Sequence, residues 1–127
     1  MTVIGINHIN IKAPKALLKE VKEFYTKILG LKVGFRPEFN SEGYWLYANN
    51  QPLVHLSENE KEKEGESLGH FDHFAFSCSD LKHYVQQLKN ANIVFKSSYL
   101  PEVNTTQLFL RDPAGIRVEL NFKNERF

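Results

Sequence analysis

The strand and helix signals in this 127-residue chain run through once and then begin again. That repeat limits the folds open to it more than any single motif does. Residues 3–11 read as a strand rich in isoleucine and bounded by Pro14. Residues 14–29 read as an amphipathic helix, with Pro14 at its first position and Gly30 ending it. Leu17, Val21, Phe24, Tyr25 and Ile28 fall on one helical face. Strands follow at about 31–36, 43–49 and 52–58, the last two joined by the turn Asn49-Asn50-Gln51-Pro52. A charged stretch, residues 59–69, reads as a solvated linker. The second pass starts with a strand at 70–78. A helix at 80–91 follows, capped by Ser79 or Asp80, with Leu81, Tyr84, Val85 and Leu88 as its apolar face. Strands at about 93–98, 105–111 and 115–122 complete it, the last pair joined by Asp112-Pro113-Ala114-Gly115. The expectation is one α+β domain, residues 1–127, in which two βαβββ modules (1–58 and 70–127) form a curved mixed sheet.

The repeat also places chemistry. His8 and His73 sit in the first strand of each half, 65 residues apart, and His55 and Glu119 in the last strand of each half, 64 apart. Strand side chains alternate faces. His55 therefore opposes Val54 and Leu56, and Glu119 opposes Val118 and Leu120. The apolar faces suit the two helices, which leaves His8, His55, His73 and Glu119 on the open face. A carboxylate between two apolar residues of a central strand is costly unless paired. Arg117 shares its face and is the structural alternative partner. Three imidazoles and a carboxylate are ligands for one divalent cation, Zn²⁺, Fe²⁺, Mn²⁺, Ni²⁺ or Co²⁺. His70 has the wrong parity and His83 lies off the apolar helix face, so neither is expected to bind it. Cys78 shares the parity of Phe74 and Phe76 and should face the helices.

Composition narrows the classes of function. A net charge of +1 gives no electrostatic footprint for nucleic acid or an anionic membrane. No apolar run approaches the about 20 residues of a membrane span, and no signal-peptide pattern opens the chain. The single cysteine excludes an intrachain disulfide and fits a reducing, cytoplasmic setting.

The stretches GINHINIKAP, EFYTKILGLKVGFR, HFDHFAFSCSDL and QLFLRDPAGIRVELNF make the sequence recognisable. It resembles the vicinal oxygen chelate superfamily, also called the glyoxalase/bleomycin resistance/dioxygenase family, over nearly its whole length. FLRDPAGIRVEL is the most specific part. By that resemblance His8, His73 and Glu119 match the first-strand, fifth-strand and final metal ligands. His55 stands where glyoxalase I and related epimerases carry Glu or Gln, so it reads as a fourth ligand or as an acid/base beside the site.

The resemblance implies a small-molecule substrate bound through two adjacent oxygens. In glyoxalase-like lyase or isomerase chemistry, Glu119 would act as base and His55 would exchange protons opposite it. One alternative is Fe²⁺ held by His8, His73 and Glu119 in a ring-cleaving extradiol dioxygenase. Epoxide opening, as in fosfomycin resistance, ranks lower. A non-catalytic, bleomycin-resistance-like drug binder would instead use aromatic groove residues. Trp45 and Tyr47, with Gln107 and Phe109 at the equivalent place in the second half, are the pocket candidates. A homodimer is the expectation by analogy.

Overall fold

A computed structural model describes residues 5–60, 71 and 73–126. The start of the first expected strand, the linker beyond Glu60, His70 and Asp72 lie outside the described residues. The chain divides into two compact units, Met1–Glu64 and Gly65–Phe127.

The first unit holds β1 (Ile9–Ala13), α1 (Lys15–Glu23), β2 (Lys32–Gly34), β3 (Gly43–Ala48) and β4 (Gln51–Glu58). They form a four-stranded mixed sheet in the order β1-β4-β3-β2, with β1 parallel to β4 and the other pairs antiparallel. Leu17, Leu18 and Val21 of α1 are buried with Ile11, Ala13, Leu46, Val54 and Leu56 of the sheet. α1 packs on β1 and β4. Burying each such side chain stabilises the fold by about 1.5–3 kcal/mol.

The expected helix does not run regularly to residue 29. Pro14 precedes it, and from Phe24 to Ile28 it widens into a π turn. The Thr26 hydroxyl donates to the Lys22 carbonyl at 2.8 Å, while Leu29 N–H reaches back to the Phe24 carbonyl. A hydroxyl on that carbonyl competes with the helical ladder. Asn49 and Asn50 both take positive φ (50° and 62°), and Ala48 pairs with Gln51. This is the two-residue hairpin loop that asparagine favours.

The second unit repeats the plan with β5 (Phe74–Cys78), α2 (Leu81–Asn90), β6 (Lys96–Leu100), β7 (Thr105–Arg111) and β8 (Arg117–Lys123). Its sheet order is β5-β8-β7-β6, with β5 parallel to β8. Val118, Leu120 and Phe122 of β8 are almost wholly buried, and Phe122 lies 5.6 Å from the Tyr84 ring of α2. Asp80 caps α2 by accepting from His83 N–H, and the Glu125 carboxylate accepts from the Asp80 and Leu81 N–H groups. Cys78 has the half-buried character of Phe74 and Phe76, whereas Ala75 and Ser77 between them are exposed. β6 starts three residues later than its apolar residues suggest. Asn92 turns left-handed (φ 57°) and Ile93 N–H closes the helix on the Leu88 carbonyl, so Ile93 belongs to the helix exit. Asp112 fixes the β7–β8 hairpin, its Oδ1 accepting from Ala114 and Ile116 N–H at 2.9 Å each.

Among the described residues, no helix is long and apolar enough to cross a membrane.

Candidate metal centre

Each unit brings two of the four expected ligands together, in different ways. In the second unit His73 lies just before β5, not inside it, and Glu119 sits mid-β8 between buried Val118 and Leu120. His73 Nε2–H donates to Glu119 Oε1 at 3.1 Å. The other oxygen, Oε2, accepts from Gln107 Nε2 at 3.2 Å and Asn121 Nδ2 at 3.0 Å. Glu119 is only 6% exposed, so these three donors offset the cost of taking a carboxylate out of water. Phe109, directly across from Glu119, meets the His73 ring edge-on at 5.7 Å. Arg117, the alternative partner considered for Glu119, lays its guanidinium over Phe109 at 4.5 Å.

The first unit uses stacking. His8 falls just before β1 and is exposed; His55 is half-buried in β4. Trp45, paired across from His55, stacks on one face of its ring at 4.0 Å, and His8 stacks on the other at 3.9 Å. The Pro52 carbonyl lies 3.0 Å from His55 Nε2. A carbonyl only accepts, so Nε2 carries the proton and Nδ1 the lone pair. Burial lowers the His55 pKa below its ordinary value, with the nearby His8 and Arg36 charges adding to it, so the ring is neutral at neutral pH. His8 Nδ1 donates to Asn7 Oδ1 at 2.8 Å.

The donor chemistry fits a cation unequally in the two halves. Two ligands about 2.1 Å from one ion stand roughly 3.0–3.4 Å apart at right-angle to tetrahedral geometry. The His73–Glu119 separation of 3.1 Å lies in that range. Binding there would displace the Nε2 proton. The Nε2–H donated by His55 to a backbone carbonyl is also the arrangement that fixes a ligating imidazole. However, a metal lies in the plane of its imidazole, and the His8 and His55 planes are nearly parallel, 9° apart. Their lone pairs do not converge in this conformation, so His8 must leave the stack before both could serve one ion. Among the described residues of either unit alone, no group of three His, Cys, Asp or Glu side chains could hold a metal.

The expected pocket residues support these pairs. Trp45 and Phe109 pack against the imidazoles, and Gln107 holds Glu119. Tyr47 lies over Gly34, where a Cβ would come within 2.7 Å of its ring, and its hydroxyl donates to the Phe35 carbonyl at 2.6 Å. β2 ends at Gly34, one residue before that carbonyl. His83 is exposed. Sequence reasoning missed Asn121, although it shares the Glu119 face two residues on, and missed the Pro52 carbonyl.

The family model of the Glyoxalase/Bleomycin resistance protein/Dioxygenase superfamily matches residues 5–120. The fold is similar to a glyoxalase family protein from Bacillus anthracis (22% identity, TM-score 0.77, covering 97% of this chain and 98% of that one). It is similar to lactoylglutathione lyase from Agrobacterium tumefaciens (17%, TM-score 0.67, 93% and 92%). A third likeness is to a genomically encoded fosfomycin resistance protein from Listeria monocytogenes (14%, TM-score 0.71, 95% and 94%). At these identities the likeness shows the fold alone. No curated protein matches the chain. The family match over nearly the full length, on two βαβββ modules, shows that this chain belongs to the Glyoxalase/Bleomycin resistance protein/Dioxygenase superfamily.

Proposed function

We propose that the chain is a divalent-metal-dependent enzyme that acts on a small oxygenated substrate by glyoxalase-like proton transfer. The observation carrying this is Glu119, a buried carboxylate with an imidazole on one oxygen and two amides on the other. The donors that offset its burial also fix both oxygens beside an imidazole, the preorganisation that suits a ligand carboxylate. His73 and Glu119 would hold the ion with His8, and His55 through Nδ1 once His8 has left the stack. Each unit by itself supplies two donors, so a full set takes a first-half and a second-half pair, of one chain or of two copies in a homodimer.

When bound, the ion would act as a Lewis acid on two adjacent substrate oxygens, which acidifies the neighbouring C–H. Glu119 is the carboxylate available to take that proton; Oε1 would have to leave the ion to do so, while Gln107 and Asn121 keep Oε2 in place. Trp45 clamps the His55 ring and the Pro52 contact leaves its single lone pair on Nδ1, so that atom serves either as fourth ligand or as proton acceptor, not both at once. A reducing, cytoplasmic setting fits the lone half-buried thiol.

The test is elemental analysis of the purified protein followed by assays at defined metal content. About one divalent ion per site, with turnover of glutathione–methylglyoxal hemithioacetal or a related hydroxycarbonyl, supports the reading. Oxygen uptake with catechols would replace it by the dioxygenase reading. A metal-free protein that binds aromatic drugs equally well after His8→Ala and Glu119→Gln would replace it by the binder.

A further inference from the structure

We infer that His8 is a metal-operated cover for His55. In the metal-free protein it closes the face of the His55 ring that Trp45 leaves open. On metal loading it leaves that face to become a ligand, and His55 stays behind on Trp45, uncovered. This switch belongs to the metal centre proposed above and depends on it.

The His55 ring is the middle layer of three. Trp45 lies 4.0 Å away at an interplanar angle of 12°, and His8 lies 3.9 Å away at 9°. With both faces covered, a substrate group can reach His55 only at its edge. The two covers are held very differently. Trp45 and His55 are paired residues of the β3–β4 ladder, and His55 is fixed at a further point by its bond to the Pro52 carbonyl at 3.0 Å. His8 precedes β1, whose pairing begins at Ile9 opposite Val54. It is exposed. Among the described residues its ring stacks on His55, and its hydrogen bond goes to the adjacent Asn7, which travels with it. Nδ1 donates to Asn7, so Nε2 carries the lone pair that a cation would take. His8 is therefore the layer that can move.

Magnitudes decide the direction of the switch. An aromatic stack favours its closed form by about 2–12-fold. Loss of a group that merely orients a metal ligand costs about 10–100-fold in metal affinity, and loss of a ligand costs more. Bound metal therefore outweighs the stack, and without metal the stack prevails. In the second unit His73 already stands 3.1 Å from Glu119, so that pair needs no rearrangement and the transfer of His8 completes the assembly. The consequence is a safeguard: one face of His55 opens to substrate only once the ion that activates the substrate is in place.

The experiment is NMR of full-length, histidine-labelled protein, stripped of metal by chelation and then saturated with zinc, with bound zinc counted separately by elemental analysis. The metal-free protein should show an NOE between the His8 and His55 ring protons. Zinc should abolish it, while the Trp45–His55 NOE persists. His8→Phe keeps a ring to stack and has no nitrogen to ligate. Its substituted ring should keep the NOE to His55 at saturating zinc, and its zinc affinity should fall by more than about tenfold. Absence of the His8–His55 NOE without metal would overturn the inference, as would zinc bound with that NOE intact, or its loss on zinc binding in His8→Phe as well. Each of these leaves the metal centre standing. A chain that takes up no zinc refutes the metal centre itself, and the switch with it.

Discussion

Replacing Glu119 with Gln tests whether its buried carboxylate serves the fold or the site. The substitution keeps the shape and removes the charge. Three donors reach the carboxylate, from His73, Gln107 and Asn121. A hydrogen bond to a charged group contributes about 1.5–3 kcal/mol and a neutral one about 0.5–1.5, so the change costs about 1 kcal/mol per bond, or about 3 in all. Against this, the wild type keeps an ionised group only 6% exposed, at a penalty of several kcal/mol. The Gln107 and Asn121 amides can also turn over to accept from the new amide. The two contributions nearly cancel, and the metal-free variant should unfold within about 1–2 kcal/mol of wild type in urea. Metal affinity behaves otherwise. Loss of a group that merely orients a ligand costs about 10–100-fold, and loss of the only carboxylate ligand costs more. Zinc competition against a chromophoric chelator should therefore show a drop of over about 100-fold for Glu119→Gln, and about 10–100-fold for Asn121→Ala. His83→Ala, on the exposed face of α2, is the control. Unchanged zinc affinity in Glu119→Gln would refute the reasoning. A loss of more than about 4 kcal/mol in urea would make Glu119 a structural residue instead.

Lowering the pH should destabilise the metal-free protein through His55. Its pKa is depressed in the folded state, so the unfolded chain takes up the proton first; stability is full above about 6.5 and is lost as pH falls through the lower folded value. Urea midpoints from pH 8 to 5 should show this slope, and His55→Gln should flatten it; an unchanged slope refutes the assignment. Cys78, pushed up to about 11 by burial, should react about a hundredfold more slowly with iodoacetamide at pH 8 than an ordinary thiol, and urea should restore one reactive equivalent per chain. Gly43→Ala places a Cβ within 1.9 Å of the Leu56 carbonyl oxygen, where backbone must shift, and should cost about 1–3 kcal/mol in a thermal or urea melt.

The architecture was legible because the signals agree across levels. The isoleucines of β1, the helix face from Leu17 to Ile28, the Asn49-Asn50 turn and the Asp112–Gly115 turn each say the same thing locally, and the second half says it again. The departures come from single side chains that redirect backbone hydrogen bonds. Thr26 binds the Lys22 carbonyl where α1 widens, Tyr47 binds the Phe35 carbonyl just past β2, and Asn92 with Ile93 closes α2 where a strand was expected. None of these alters hydrophobic periodicity, so periodicity does not register them.

For the site, parity was informative and orientation was not. Alternation puts His55 opposite Val54 and Leu56, and Glu119 opposite Val118 and Leu120. Parity fixes the face of a side chain but not the plane of a ring. The plane of His55 follows from Trp45 across the ladder, from His8 above it and from the carbonyl of Pro52. These are tertiary facts. The consequence is that equal positions in the repeat carry unequal roles. In the first half an aromatic sandwich clamps a neutral imidazole, whereas in the second a network of amides fixes a carboxylate. Two titratable groups held in such different surroundings can divide acid and base roles between them. In the proposed reaction Glu119, with three donors on its carboxylate, is the group placed to take the proton. In the proposed reaction His55, clamped and neutral, would be the partner that exchanges it. A duplicated scaffold with identical contents in both halves would have no such division.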